Sequence, residues 1–122
     1  MSISRIIEQE KFLCQLHAEM CQVFSHPTRL EIICVLREGE RTVSQMAKLL
    51  NVSLGNLSQH LAMMRERRIL SSRKAGNQVF YQVANPKMLK AFDLLREILL
   101  EQIEKESRLL TKPRKTSRRP GD

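Results

Sequence analysis

Gly55, Asn56, Ser58 and Gln59 stand together in the segment LGNLSQHLAMM, and the three polar side chains among them suit the edge of a nucleic-acid base. A Gln or Asn amide donates and accepts at once, so it can bond bidentately to adenine, while Ser serves in either sense. Leu57, Leu61 and Met64 recur at i, i+4 and i+7 and predict the buried stripe of a helix. At about 100° per residue, Gly55 and Gln59 then point almost directly away from that stripe, flanked by Asn56, Ala62, Met63 and Glu66. Gly55 removes bulk where the leading end of such a helix must approach a groove floor. An ordinary solvated face has much the same composition, so the elements around this helix decide its meaning.

Those elements are short and ordered. Thr42 is placed to cap a helix over 43–50 with Val43, Met46, Ala47 and Leu50 inward, and Ser53 to cap the polar-faced helix to about Arg67. Strands follow over 69–73 and 79–83, with Gly76 and Asn77 suited to the positive φ of a hairpin tip. Arg73, Lys74, Asn77 and Gln78 are expected at that tip, where a long basic side chain can enter a minor groove or sit on phosphate. Arg65 is a candidate backbone contact. Arg67 and Arg68 could serve likewise or satisfy the carbonyls at the helix end. His60 is a candidate phosphate contact or a support for the helix.

Upstream, residues 3–24 carry Ile6, Leu13, Leu16, Met20, Val23 and Phe24 at helical spacing. His26-Pro27 ends this helix, His26 acting as a cap. A second helix runs from Thr28 to about Glu38, burying Leu30, Ile33, Cys34 and Leu36 before Gly39. Asn85-Pro86 opens a last helix to about Leu110, striped by Met88, Phe92, Leu95 and Leu99 and broadened by Leu94, Ile98 and Ile103. One small domain cannot cover that much apolar surface. The first and last helices are therefore expected to pair in a dimer through Ile6, Leu13, Leu16, Met20, Phe92, Leu95 and Leu99. Residues 1–110 form one mainly α domain with a small β-hairpin, and the tail 111–122, with two prolines and no apolar anchor, is expected to be disordered.

Charge supports the same partner. The chain of 122 residues carries 21 basic and 13 acidic side chains, a net +8. The excess is +5 over residues 42–83 and +4 over 111–122, while 25–41 and 86–110 are neutral and 1–24 sum to −1. A basic module is the footprint of a phosphate backbone, because neutralising phosphates releases counterions. No apolar run approaches the ~20 residues that span a bilayer. The first residues, MSISRIIEQEKF, hold acids and lack a signal-peptide core, so a cytoplasmic location is expected.

The stretch HPTRLEIICVLREGERTVSQMAKLLNVSLGNLSQHLAMMRERRILSSRKAGNQVFYQV, residues 26–83, resembles the ArsR/SmtB-type winged helix-turn-helix repressors. The likeness rests on Ser53 with Leu57-Ser58-Gln59-His60-Leu61, on Arg65, and on Arg73-Lys74 through Tyr81. It implies a homodimer that dimerises through its first and last helices, binds an inverted repeat in double-stranded DNA, and releases it on a chemical cue. Within the family, metal sensors hold ligands at positions that fall here on Thr42 and Gln45, or on Asn85, Lys87, Ile98 and Glu101. Neither metal site can be built from these residues. The segment Ile33-Cys34-Val35-Leu36 followed by Glu38-Gly39-Glu40 resembles the thiol-sensing branch, in which a cysteine here pairs with one in the last helix. This chain has no cysteine in its last helix, so Cys14, Cys21 or a small thiol would have to be the partner.

Cys14 and Cys21 cannot bridge within one helix, because seven residues rise about 10.5 Å against a ~7 Å Cα limit. All three cysteines, expected to be reduced, could equally be small buried hydrophobes. Glu10, Cys14, His17 and Cys21 also share one helical face, a ligand set suited to zinc, and leave open a metal-responsive repressor with a site on its first helix. No cofactor is otherwise expected. A low-specificity architectural DNA-binding protein and a protein–protein module on the same fold are the rivals. An enzyme is not expected, since His17, His26 and His60 have no triad partners and there is no phosphate-cradling glycine loop.

Overall fold

The computed structural model describes residues 2–110. Helix α1 runs over Ile3–Gln22, started by Ser2, whose hydroxyl accepts from the Arg5 N–H at 3.3 Å. A 3-10 turn at Val23–Ser25 follows. The expected single helix to residue 24 thus tightens two residues early, and Val23 turns fully into the core. Helix α2, Pro27–Leu36, begins one residue sooner than expected because Pro27 takes its first position, and His26 Nδ1 accepts from the Thr28 N–H at 3.1 Å. Its adjacent Ile32 and Ile33 are both fully buried, a wider buried arc than the sequence suggested, while Leu30 and Cys34 are half-buried.

Strand β1 is only Arg41–Thr42, and helix α3 follows at once over Val43–Leu50. Thr42 and Gln45 form a reciprocal cap: the Gln45 N–H donates to Thr42 Oγ1 at 3.2 Å, and the Thr42 N–H donates to Gln45 Oε1 at 2.9 Å. Asn51 ends α3 in the left-handed region at φ 57°, where its short amide side chain is tolerated. Helix α4, Leu54–Glu66, starts from Ser53, whose hydroxyl accepts from the Asn56 N–H at 3.2 Å. Strands β2, Leu70–Ala75, and β3, Gln78–Val83, make the hairpin, longer and nearer the tip than predicted. Gly76, at φ 64°, closes its turn.

The sheet is antiparallel in the order β1-β3-β2, with Thr42 opposite Phe80 and Arg73 opposite Phe80 on the other side. The core gathers Val23, Ile32, Ile33, Leu36, Met46, Leu57, Leu61, Met64, Ile69 and Leu70. Each such side chain contributes about 1.5–3 kcal/mol on leaving water. These elements form one compact unit up to Pro86, and helix α5, Pro86–Leu110, belongs to a second that begins at Lys87. No helix among the described residues is long and apolar enough to cross a membrane. The tail 111–122 lies outside the described residues.

Candidate nucleic-acid interface

Helix α4 buries Leu57, Leu61 and Met64 and exposes Gly55, Asn56, Ser58, Gln59 and Ala62. Gln59, Ala62, Met63, Arg65 and Glu66 line an open groove of about 640 Å³ along that outer face. Gly55 has no internal reason to be glycine. Its backbone is helical, and a Cβ there meets nothing within 4 Å. Glycine in a helix nevertheless costs roughly 1 kcal/mol relative to alanine. Bare backbone at this point makes sense for a surface that something else approaches closely. Ser53 is exposed, and its hydroxyl is committed to capping.

The hairpin stands beside this helix as a wing. Lys74, Asn77 and Gln78 are exposed at or next to its turn, as expected. Arg73 departs from expectation. It lies three residues before Gly76, and its guanidinium is held by both carboxylate oxygens of Glu40, with Nε to Oε2 at 3.0 Å. The same guanidinium sits 4.7 Å from the centroid of Phe80. Arg73 is thus a strut midway along the wing, made by contacts across 33 positions that no local pattern announces. The hydrogen bonds from Arg73, and then its charge, hold the Glu40 carboxyl below the ordinary range, and the same hydrogen bonds raise the guanidinium in turn.

Arg65 and His60 are also occupied within the chain. Arg65 Nη1 donates to Ser72 Oγ at 3.2 Å, tying α4 to the wing while the residue remains exposed. His60 is half-buried, accepts from Arg29 Nε at 3.2 Å, and lies 4.5 Å from the His26 ring. It faces the start of α2, which favours support of the helix over the expected phosphate contact. Arg67 Nη1 reaches the Glu19 carbonyl of α1 at 2.8 Å. Glu40, Arg29, Ser72 and the Glu19 carbonyl are partners that sequence reasoning missed.

Apolar side chains cover the outside of α1: Ile6, Leu13, Leu16 and Met20 are each at least 41% exposed. On α5, Leu95 and Leu99 are 65% and 52% exposed. Phe92 is different, only 8% exposed in the single chain and packed under the Arg96 guanidinium at 4.6 Å, so it is not free for an interface as expected. The three cysteines carry free thiols. Cys14 and Cys21 are exposed and Cys34 half-buried, so the buried-hydrophobe expectation fails for the first two in the single chain. Among the described residues no three His, Cys, Asp or Glu side chains converge on one point, and Cys14, His17 and Cys21 make no metal centre with Glu10 within the chain.

A capped helix, a tight turn, a second helix with a polar outer face and an antiparallel wing define a winged helix-turn-helix DNA-binding protein. The chain belongs to the arsR family of bacterial regulatory proteins, whose model matches residues 26–72. It is 32% identical over 85 residues to the biofilm growth-associated repressor of Xylella fastidiosa, covering 70% of this chain and 75% of that one. It is 29% identical over 79 residues to the transcriptional activator HlyU of Vibrio cholerae, covering 65% and 73%. Among solved structures, Rv0081 of Mycobacterium tuberculosis matches with a TM-score of 0.73 and 27% identity, covering 78% of this chain and 96% of that one. The protein is a DNA-binding transcriptional regulator.

Proposed function

We propose that the protein is a homodimeric repressor that reads an inverted repeat, with one α4 in the major groove of each half-site and the wing tip on the flanking backbone. The exposed polar face of α4, with Asn56 and Gln59 beside the unhindered Gly55, carries this reading. Exposed apolar residues on α1 and on α5 support pairing with a second copy. A two-fold dimer presents two reader helices to two half-sites, which accounts for the inverted repeat. Related proteins bear the names of both repressors and an activator. Repression is the simpler mechanism here, since it asks nothing of the protein beyond occupying its site.

Selection of duplexes from a random library, followed by binding measurements on the selected and a scrambled duplex, tests this reading. Gln59→Ala should weaken the selected duplex by the equivalent of about 1–3 kcal/mol and leave the scrambled one nearly unchanged. Lys74→Ala should weaken both alike and reduce the salt slope by about one. Equal losses on both duplexes for Gln59→Ala argue against base reading by that residue, and failure to enrich any sequence favours the architectural alternative.

Release by thiol chemistry is the second half of the proposal. Exposed Cys14 and Cys21 on α1 are open to oxidants, and half-buried Cys34 sits in α2 against the core. A modification at any of them acts on the helices that hold α4. Binding to the selected duplex, measured reduced, oxidised and persulfidated with Cys34→Ser as control, tests it. Unchanged affinity in all states removes the thiols from the mechanism.

A further inference from the structure

Arg29 stands where three parts of the chain meet. Its Nη1 points at the carbonyls of Gln22 and Val23, at 3.4 and 3.5 Å, and its Nε donates to His60 Nδ1 at 3.2 Å. The carbonyls at a helix end lack intrahelical donors and carry the negative end of its dipole, so a guanidinium is favoured there. His60 belongs to α4, the helix that faces outward with Gln59. A second arginine, Arg67, runs from the end of α4 to the Glu19 carbonyl at 2.8 Å. Helix α1 is therefore tied to the reader helix at two points, and one of them passes through an imidazole.

We propose that Arg29 is a positioning residue for DNA reading, fastening α4 at His60 to the carbonyl end of α1, and that the tie holds only while His60 is neutral. This rests on the reading that α4 faces DNA. To accept from Arg29, His60 Nδ1 must present its lone pair, which leaves the proton of the neutral ring on Nε2. A second proton turns Nδ1 into a donor aimed at another donor, and places a cation against Arg29 and beside His26. Those two groups, both from the start of α2, are the charges that act on His60. Lysine cannot replace the arginine, since a single ammonium lacks the fork that serves the carbonyls and the imidazole together.

The titration follows from the surroundings. Partial burial first, and then the charges of His26 and Arg29, hold the His60 imidazole below its ordinary value of 6.5. The folded chain thus resists protonation more than the unfolded chain does. The stabilisation is complete above pH 6.5 and is lost as the pH falls through the lowered folded value. Because α1 also bears the exposed apolar stripe, the tie joins the surface offered to a second copy to the surface offered to DNA.

The test compares wild type, Arg29→Lys and His60→Gln on a duplex selected from a random library and on a scrambled one. Arg29→Lys, which keeps the charge, should weaken the selected duplex by about tenfold, the scale of a charge-assisted hydrogen bond, and the scrambled duplex by less than about twofold. The wild-type preference for the selected duplex should fall from pH 7.5 to 5.5, and His60→Gln, whose amide accepts without titrating, should lose that fall. In parallel, the Val23 and Phe24 amide resonances, whose peptide carbonyls are those of Gln22 and Val23, should titrate with the His60 ring in wild type and not in Arg29→Lys. Full affinity in folded Arg29→Lys, or identical pH profiles for wild type and His60→Gln, overturns the proposal. Should Arg29→Lys not fold, the His60→Gln profile decides. Should no duplex be enriched, DNA reading itself fails, and the amide titrations in wild type and His60→Gln still decide the tie.

Discussion

Leu99→Glu is expected to leave the chain folded, to shift it to the 14.2 kDa mass of a single copy, and to weaken a duplex carrying two half-sites on the order of a thousandfold. The side chain is 52% exposed on α5, so the isolated chain loses little packing when it changes. Across a two-fold interface two carboxylates would face apolar surface without partners, a cost of several kcal/mol for each buried charge. A single copy then engages one half-site, and affinity falls toward that of non-specific binding. Light scattering and fluorescence anisotropy at matched salt read the two effects. A variant that remains dimeric, or a monomer that binds as tightly as wild type, contradicts the role given to α5.

Leu61→Ala should remove about 2–5 kcal/mol of stability. Leu61 is 0% exposed, on the inner stripe of α4 with Leu57 and Met64, both also fully buried. Truncation forfeits the transfer energy of the lost carbons and leaves a void that its neighbours, fixed on helices, cannot close. Typical domains have only 5–15 kcal/mol in reserve, so Tm should fall on the order of 10–20 °C. Because the face proposed to read DNA lies on the other side of the same helix, binding at low temperature should survive far better than stability. Urea unfolding at fixed protein concentration measures the loss; a change below about 1 kcal/mol contradicts the assignment of Leu61 to the core.

Helix α4 was legible because its signals are local. Ser53, Leu57, Leu61 and Met64 lie within a dozen residues, and cap and stripe together orient Gln59 before any tertiary contact is known. Thr42 as a cap and His26 as a cap before Pro27 were legible for the same reason. Strand β1 was not, since two residues carry no periodicity and gain strand character only from pairing with Tyr81 and Phe80. Nor were the arginine contacts. Arg73 meets Glu40 across 33 positions, Arg29 meets His60 across 31 and Arg67 meets Glu19 across 48. Each depends on how elements pack rather than on neighbours in sequence, so a basic residue counted toward DNA can be committed to its own chain. Phe92 shows the same limit: its place on an apolar stripe did not reveal that it is already covered.

Thr42 closes β1 against Phe80 and, through the same residue, starts α3. The wing and the helix pair are thus built on one shared residue, reinforced by Arg65 on Ser72 and Arg73 on Glu40. The separation between reader helix and wing tip is set within the free protein. Association with a duplex then forfeits little internal freedom at the reading surface, and most of the entropic penalty left is that of bringing the partners together. Loosening Thr42 would show itself as a less favourable binding entropy before it appeared as a lost contact.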